Sequence, residues 1–440
     1  MPNRGGTDHT ISGPAPARRP WRRVTTVALA AGVLLAAVTG CSGSGSSTLG
    51  AIAATVSPAG QEQALTGSSA AVAVPAAPSS SAPAPTVTVS SAPAAPAVLT
   101  VSPASGTPAL SPADPVTVAV ADGTLGTVRL VAADGTEIVG AVSADQREWW
   151  NTTDLAYDTD YTLTAEATNA TGAPATATST FRTVRPGGRV EVTGFPSDGM
   201  TVGVAQPIAF YFDQPVTNHE GVEKAITVTS TPAQNGGFRW VNDTELRWRP
   251  ESFWTSGTQV TVTTDLYGRD LGGGMFVGSD TPRSFTVGRK FVADIDNNNH
   301  MMGIYVDDQL TQLVPVSMGR DKYPTYNGIH VVKQKYESKI MDSSTWGLTG
   351  AGAYRTKVDW ASRISDSGEF VHAAPWSVDS QGVENVSHGC VNVSTDWGKW
   401  FYDNALPGDP VIISNTSGPA LEWWDGYGDF QLPFAEYVAG

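Results

Sequence analysis

Two consecutive stretches, residues 98–186 and 187–288, repeat one pattern of short alternating runs, and this repeat constrains the fold more than any other feature. In the first stretch, residues 116–120, 127–131 and 161–167 alternate apolar and polar side chains. Such alternation is typical of a β-strand that buries one face and exposes the other. Turn residues such as glycine and aspartate separate the runs. We therefore expect both stretches to be built from short strands.

The two stretches also open and close on similar segments. A Pro-Ala-Ser-Gly segment opens the first stretch at residue 103, and a Pro-Ser-Asp-Gly segment opens the second at residue 196. Each stretch has about 90–100 residues, the size of an immunoglobulin-like sandwich. Neither contains a cysteine, so neither has the disulfide of antibody domains. We predict two tandem Ig-like domains, 98–186 and 187–288, that serve as spacers and supports.

A third unit, residues 289–417, also carries mainly β-type patterns. The expected strands lie at residues 290–293, 302–306, 312–317, 328–334 and 410–413. Residues 395–404 indicate one helix that begins after a Ser394 cap. The tail, residues 418–440, is rich in aromatic residues and is therefore expected to pack on the body of the protein: Trp423, Trp424, Tyr427, Phe430, Phe434 and Tyr437. The predicted fold class is mainly β, with a β-rich third domain, one short helix and an aromatic C-terminal extension.

The N-terminus has the features of an export signal. Four arginines within residues 18–23 precede an uncharged run at 24–38, which is too short for a transmembrane helix but suits a signal-peptide core. Small residues then lead to Cys41, and this arrangement resembles a bacterial lipobox. The resemblance implies that residues 1–40 are a signal peptide and that Cys41 carries a lipid. An ordinary signal peptide that is cleaved nearby is the alternative.

A low-complexity segment separates Cys41 from the first strand. Residues 41–97 consist mainly of Ala, Ser, Pro, Thr and Val, with very few charged or aromatic side chains. Such a composition cannot build a packed core, so we predict a disordered tether. Proline-rich chain extends by about 3.1 Å per residue, which gives the tether a reach on the order of 100 Å.

Charge and cysteine content narrow the function. The chain holds 27 Lys and Arg against 42 Asp and Glu, a net charge of −15. This balance argues against nucleic acid as a partner and against electrostatic attachment to an anionic membrane surface. There are two cysteines, Cys41 and Cys390. If Cys41 is lipidated, Cys390 is an unpaired thiol in an exported protein, and this suggests a reactive group.

The chemistry is concentrated in one segment. Fourteen residues, 373–386, separate His372 from a Ser-His-Gly-Cys run at residues 387–390, which is followed by Val391 and Asn392. Cysteine catalysis needs a thiolate, a nearby imidazole, and amide groups directed at a developing oxyanion. His372 could activate Cys390, and the residues around the glycine could supply the amides. On the residues alone, a purely structural histidine and cysteine remain an equal alternative.

The whole pattern resembles the signature of L,D-transpeptidases of the YkuD type. The resemblance implies that Cys390 is the nucleophile, that His372 is the general base, and that the backbone carbonyl of Ala373 orients the histidine. Many relatives have serine at the position of Ala373, so a side-chain role there would be lost. The amides of His388, Gly389 and Cys390 would form the oxyanion hole. The implied substrate-binding residues are Met341, Tyr354, Trp376, Ser387 and Asn392.

Several of these residues have a simpler explanation. Met341 and Tyr354 could be core and strand residues, Trp376 could be structural, and the His388 side chain is more easily structural than basic. His330 and His300 receive no role. We predict no metal and no cofactor, because the acidic turn at 294–298 lacks the remaining EF-hand ligands, residues 272–274 lack the lysine of a phosphate loop, and zinc spacing is absent.

The resemblance implies peptidoglycan remodelling. The nucleophile would attack the third residue of one stem peptide, release D-Ala, and pass the acyl group to the amine of a second stem, which gives a 3→3 crosslink. The alternatives with the same nucleophile are an L,D-carboxypeptidase and an enzyme that anchors proteins to the wall. A non-enzymatic, wall-binding spacer is a fourth possibility. We expect carbapenems as inhibitors and a lipid-anchored location on the outer face of the cell membrane.

Overall fold

The structure is a computed structural model that describes residues 94–440 except 348, 351 and 352. The predicted signal peptide, the lipidated Cys41 and nearly all of the predicted tether lie outside the described residues. Within the described part, no helix is both long enough and apolar enough to cross a membrane. The expectation of a mainly β fold is confirmed, and in the described residues two further short helices accompany the one expected at residues 395–404.

The first group of strands forms two sheets, ordered β1-β3-β7-β6 and β2-β9-β8-β4-β5. The alternation seen in the sequence at residues 161–167 appears in the eighth strand, where every second side chain is buried. Leu130, Trp149 and Leu163 belong to the core between the sheets. The strands are β1 Val98–Ser102, β2 Pro108–Leu110, β3 Thr117–Ala121, β4 Gly123–Ala132, β5 Glu137–Ile138, β6 Gly140–Val142, β7 Glu148–Asn151, β8 Asp160–Asn169 and β9 Pro174–Thr183.

The second group forms two four-stranded sheets, β11-β13-β16-β15 and β12-β19-β17-β14, and the pair β10-β18. A core that includes Phe210, Trp254 and Phe285 is buried in this group. The elements are β10 Gly188–Val190, β11 Val192–Phe195, β12 Thr201–Val202, β13 Ile208–Phe212, α1 His219–Lys224, β14 Ile226–Thr231, β15 Gly236–Asn242, β16 Glu245–Pro250, β17 Gln259–Thr264, β18 Met275–Val277 and β19 Arg283–Val287.

The third group forms a five-stranded sheet, β22-β21-β20-β28-β23, and a four-stranded sheet, β24-β25-β26-β27. The helix expected at residues 395–404 is present as α2, and the Ser394 side chain accepts from the Trp397 amide. The elements are β20 Phe291–Asp296, β21 Met301–Val306, β22 Gln309–Pro315, β23 Gly328–Val331, β24 Gln334–Asp342, β25 Arg355–Arg363, β26 Phe370–Ala373, β27 Val391–Val393, α2 Thr395–Asn404, β28 Pro410–Ser414 and α3 Phe434–Tyr437. Short 3-10 turns lie at Ser343–Trp346, Pro375–Ser380 and Gly428–Gln431.

The C-terminal extension packs against β16 through a buried charged cluster, which we call the joint and define as Glu245, Arg247, Arg249, Asp429 and Tyr437. The Arg247 guanidinium lies 2.7 Å from the Glu245 carboxylate and 3.1 Å from the Asp429 carboxylate. Tyr437 donates its hydroxyl to the other Asp429 oxygen at 3.1 Å. Arg249 lies against the Tyr437 ring and donates to the Leu432 carbonyl. Both faces of β16 are therefore covered.

A second contact connects the second and third groups of strands. The amides of Gly203 and Ala205 donate to the carbonyls of Pro407 and Gly408. Asp409 follows directly and is fully buried, and the Leu406 amide donates to its carboxylate. Burial raises the pKa of Asp409 to about 7, against the opposing effects of the Leu406 amide and the nearby Arg289 guanidinium. A carboxyl group that titrates near neutral pH therefore lies at this contact.

Candidate active site

A cleft of about 440 Å³ opens beside the four-stranded sheet β24-β25-β26-β27. Its walls come from the ends of β24 and β25, from β26, from the 3-10 turn at Pro375–Ser380 and from the loop before β27. Every side chain predicted to be catalytic or substrate-binding lies in its lining, and further residues join them. The lining consists of Met341, Tyr354, Thr356, Val358, His372, Trp376, Ser377, Ser380, Val386, Ser387, His388, Cys390 and Asn392.

The two central residues line the same cleft because β26 and β27 are parallel neighbours. His372 on β26 is in register with Asn392 on β27, and Cys390 directly precedes β27. Parallel neighbours need a crossover connection of about a dozen residues or more, because the chain has to return to the same end of the sheet. The fourteen residues between His372 and Ser387 belong to this crossover. The spacing of the sequence motif is therefore a property of the strand connection.

His372 is held in one orientation by its own strand. Its side chain is buried, and Nδ1 lies 2.9 Å from the Ala373 carbonyl oxygen. A carbonyl only accepts, so Nδ1 carries a proton, and Nε2 of the neutral ring is left as the acceptor. Burial lowers the pKa of His372 below its ordinary value of 6.5, although the Ala373 carbonyl opposes this effect. The ring is therefore a neutral base at neutral pH.

Cys390 is a free cysteine whose residue is only partly exposed, with the sulfur enclosed by the surrounding protein. Its Sγ lies 3.7 Å from the Gly368 carbonyl oxygen. Burial of the sulfur raises the pKa of the thiol to about 12, and the Glu369 carboxylate raises it further, whereas a backbone hydrogen bond from Phe370 and the Arg363 charge lower it. The thiolate is thus not stored in the resting site. It has to form when the proton passes to a base as the substrate binds.

The loop at residues 387–390 uses one of its predicted oxyanion amides within its own turn. The sequence led us to expect three oxyanion-hole amides, but the Gly389 amide donates to the Ser387 hydroxyl at 3.1 Å. Ser387 in turn donates to the Cys390 carbonyl at 2.6 Å, which closes the turn. Within the described part of the chain, the amides of His388 and Cys390 make no hydrogen bond. These two amides are therefore the donors available to an oxyanion.

The His388 side chain has a structural environment. Its Nε2 lies 2.5 Å from an Arg320 guanidinium nitrogen, and the Tyr323 and Tyr354 rings lie 4.9 and 4.8 Å away. A guanidinium only donates, so Nε2 accepts and the imidazole is neutral. Burial and then the Arg320 charge lower the pKa of His388. The ring therefore braces the loop and is already occupied at the nitrogen that a base would use.

The remaining predicted residues divide into the mouth and the floor of the cleft. Trp376 is 58% exposed at the mouth, and its ring centroid lies 6.1 Å from that of His372. Met341 is nearly buried in a small apolar cluster with Phe370, and Tyr354 packs against the same cluster. Asn392 is buried and donates to the Ser377 hydroxyl at 3.1 Å, so it braces the floor.

Some residues of the site had no part in the sequence interpretation. Thr356 and Val358 line the cleft two and four residues after Tyr354, a spacing that places side chains on one face of a strand. That period was the signal that could have found them. Arg320 and Glu369 gave no signal, and His330, which received no role, pairs with Glu369 beneath the loop. No group of three or more His, Cys, Asp or Glu that could hold a metal lies among the described residues.

Comparison with known proteins matches two parts of the chain to family models. Residues 290–413 match the model of the L,D-transpeptidase catalytic domain, and residues 107–270 match that of a bacterial Ig domain. L,D-transpeptidase 2 of Mycobacterium tuberculosis (strain CDC 1551 / Oshkosh) is 44% identical over 305 residues, which cover 69% of this chain and 74% of that protein. L,D-transpeptidase 5 of strain H37Rv is 34% identical, with 66% of each chain covered.

A solved structure of an L,D-transpeptidase in complex with imipenem is also similar in sequence. It is 31% identical to this chain and has a TM-score of 0.46. The matched region covers 52% of this chain and 100% of the solved chain.

Proposed function

The chain belongs to the L,D-transpeptidase family, and we propose that it crosslinks peptidoglycan stem peptides through a thioester on Cys390. It is an enzyme of the acyltransferase class. One observation carries the assignment of the site. A free cysteine and a histidine with its Nδ1 bound to a backbone carbonyl line one cleft on neighbouring parallel strands.

The first half-reaction transfers an acyl group to the enzyme. The Cys390 thiol gives its proton to Nε2 of His372, and Sγ attacks the carbonyl carbon of the third stem residue. The amides of His388 and Cys390 donate to the oxyanion as it forms. When the tetrahedral intermediate collapses, the C–N bond to the terminal D-Ala breaks, and His372 returns the proton to the departing amine. The neutral pair of the resting site suits this transfer, because no charge is buried until the substrate covers it.

The second half-reaction forms the crosslink. The side-chain amine of a diamino acid in a second stem attacks the thioester, and His372 accepts the proton that this nitrogen loses. The C–S bond then breaks, and the sulfur regains a proton from His372. A thioester retains its acyl group long enough for an amine to compete with water, provided that the bound stem and the side chains at the cleft mouth exclude water. Trp376 and Tyr354 line the cleft and are the side chains that we expect to contribute to such a cover.

We propose that β-lactams of the carbapenem type acylate the same cysteine. The strained ring presents a carbonyl that Sγ can attack, and its nitrogen remains tethered after the C–N bond breaks. The adduct therefore keeps all atoms of the inhibitor. A mass increase equal to one carbapenem on the Cys390 peptide, absent in Cys390→Ala, is the expected result.

We also propose that the protein is exported and anchored through a lipid on Cys41, with its described domains facing the wall. The support is the arginine-rich segment, the uncharged run and the small residues before Cys41. The test is growth with an alkyne-labelled fatty acid, which should label the parent and not Cys41→Ser. Label retained by Cys41→Ser would contradict the proposal.

The function is tested with disaccharide-tetrapeptide as substrate and mass spectrometry of the products. The parent should give a dimer that lacks one D-Ala, and Cys390→Ala should lower its rate of formation by at least about 10³-fold, because no other group replaces the nucleophile. Cys41→Ser is the matched control and should keep the full rate in detergent solution. Tripeptide monomer as the main product would favour a carboxypeptidase, and attachment to added protein would favour wall anchoring. Wild-type activity of Cys390→Ala would leave the non-enzymatic, wall-binding spacer as the remaining function.

A further inference from the structure

Beneath the catalytic loop lies a second pair of titratable side chains that the proposed reaction does not use. His330 on β23 is fully buried, and Glu369, directly before β26, is 6% exposed. His330 Nε2 lies 2.8 Å from a Glu369 carboxylate oxygen. The pair thus connects the five-stranded sheet to the four-stranded sheet. A buried carboxylate of this kind needs a compensating charge or several hydrogen bonds.

The contacts of the pair indicate how its charges are arranged. Both ring nitrogens of His330 face oxygen acceptors, the Glu369 carboxylate and, at 3.4 Å, the Gly328 carbonyl. Only the doubly protonated ring donates from both nitrogens. The second Glu369 oxygen accepts the Tyr326 amide at 2.9 Å. The arrangement therefore suits a positive imidazolium beside a negative carboxylate.

The carboxylate of this pair lies next to the nucleophile loop. A Cβ built on Gly389 would be 3.8 Å from a Glu369 carboxylate oxygen, which places this oxygen directly beside the residue before Cys390. Gly368, whose carbonyl contacts the Cys390 sulfur, is the neighbour of Glu369 in sequence. Thr325, next to Tyr326, donates to the Gly389 carbonyl at 2.7 Å. The pair thus supports the loop and also places a charge beneath it.

We propose that His330 is a positioning residue for the transpeptidase reaction: its positive charge compensates the Glu369 carboxylate, so that the Cys390 thiolate forms beside a neutral pair instead of a lone buried anion. The proposal deepens the proposed function and rests on Cys390 as its nucleophile. The direction of the Glu369 effect agrees, because this carboxylate raises the pKa of the Cys390 thiol.

Other charged and titratable groups also face the two residues. Arg363 on β25 acts on Cys390 in the opposite direction to Glu369, and His372, His388 and Tyr354 line the same cleft. Burial raises the pKa of the Tyr326 hydroxyl, and the charges of Glu369 and Asp425 raise it further. Arg363 is itself paired with Asp366 at 3.5 Å. Among these groups, His330 alone contacts the Glu369 carboxylate with a group that can carry a positive charge.

The test measures the acidity of Cys390 without any peptidoglycan. The full chain is alkylated with iodoacetamide between pH 6 and pH 10, and the Cys390 peptide is followed by mass spectrometry, which separates it from Cys41. Alkylation follows the thiolate fraction. In His330→Gln the uncompensated carboxylate should slow alkylation of Cys390 about tenfold at each fixed pH in this range, which corresponds to a rise of about one unit in the pKa of the thiol.

Two further variants separate charge from packing. Glu369→Gln removes the carboxylate and should alkylate at the parent rate or faster at each fixed pH. His330→Gln combined with Glu369→Gln has no charge at either position, and its profile should return to within about twofold of the parent rate. Thermal unfolding of each variant shows whether it is folded.

The comparison of the single variants with the double variant decides between charge and packing. A profile that does not move in a folded His330→Gln overturns the proposal, and so does a double variant as slow as His330→Gln, since that result would indicate packing. Failure of transpeptidation in the parent would leave the alkylation profiles intact. A failure of the proposed function is therefore distinguishable from a failure of this inference.

Discussion

The cleft and the joint both bury titratable side chains, but they do so in opposite ways. In the joint, Arg247 is 1% exposed and lies between two carboxylates, so its charge is permanent and compensated. In the cleft, Cys390 and His372 line the same cavity as a neutral thiol and a neutral imidazole. The joint keeps its charges in every state of the protein, whereas the cleft creates them only during the reaction.

The difference shows how burial serves stability in one place and chemistry in the other. A compensated buried ion gains little over an apolar residue of the same size, but it penalises any arrangement that separates the partners. A buried neutral pair has one proton to move, and burial keeps that proton on the sulfur until a substrate binds. The joint therefore fixes the position of the C-terminal extension. In the cleft, the reactive thiolate exists only during the reaction.

The largest effect is expected from a substitution that breaks the joint. Arg247→Met leaves Asp429 as an unpaired buried carboxylate and should cost about 3–5 kcal/mol of unfolding free energy. The denaturant midpoint of the transition that includes β16 and the extension is the measurement. Arg129→Met is the matched control, because its ion pair with Glu137 is more than half exposed and should change the midpoint little. Equal shifts in the two variants would contradict the contrast.

A smaller effect on stability is expected from the titration of Asp409. This carboxyl group differs from both the joint and the cleft, because its charged form is buried and poorly compensated. Its pKa is raised from 3.8 in the unfolded chain to about 7 in the fold. The fold therefore binds the proton more tightly, and this contribution to stability is complete below pH 3.8 and is lost as the pH rises through 7. Between pH 5 and pH 8 the melting temperature should fall by several degrees.

Asp409→Asn tests this assignment. In this variant the melting temperature should fall less between pH 5 and pH 8 than in the parent, since the amide does not ionise. A decline of unchanged slope in the variant would assign the pH dependence to other groups.

The smallest expected effect sharpens the description of the cleft. Because burial lowers the pKa of His372 below 6.5, the neutral base persists into mildly acidic solution. The acid limb of the kcat/KM profile should therefore have its midpoint below pH 6.5, where the imidazole gains its proton. The measurement is kcat/KM for acylation as a function of pH, with controls that separate the effect of the buffer from that of pH. A midpoint above 6.5 would mean that a neighbouring negative charge, not burial, governs the ring.

Much of the cleft was visible in the sequence because its signals are local. The His372 and Cys390 motif acts between residues that are close along the chain, as do two signals elsewhere in the fold, the Ser394 cap of α2 and the alternation in β8. The spacing between His372 and Ser387 even contains the parallel crossover. The same reasoning expected three oxyanion amides, and it missed the hydrogen bond from Gly389 to Ser387 because such a turn depends on backbone angles.

The joint was not predictable in the same way. Arg247 and Arg249 occur in a strand of alternating pattern, where arginine normally indicates the exposed face. They are buried because the aromatic extension covers that face, and the Arg247 and Asp429 partners are 182 residues apart. His330 and Glu369 also come from different sheets. No local period relates such residues, so only the assembled structure shows which charges are paired.

The distance along the chain between the partners of the joint has a consequence for the order of folding. During synthesis the N-terminal domains emerge first and fold as units. β16 is then complete before residues 429–437 have been translated, so Arg247 and Arg249 remain in water until those residues arrive. The whole transpeptidase domain is made between these two events. Closure of the joint is therefore a late step that follows synthesis of the residues that form the cleft.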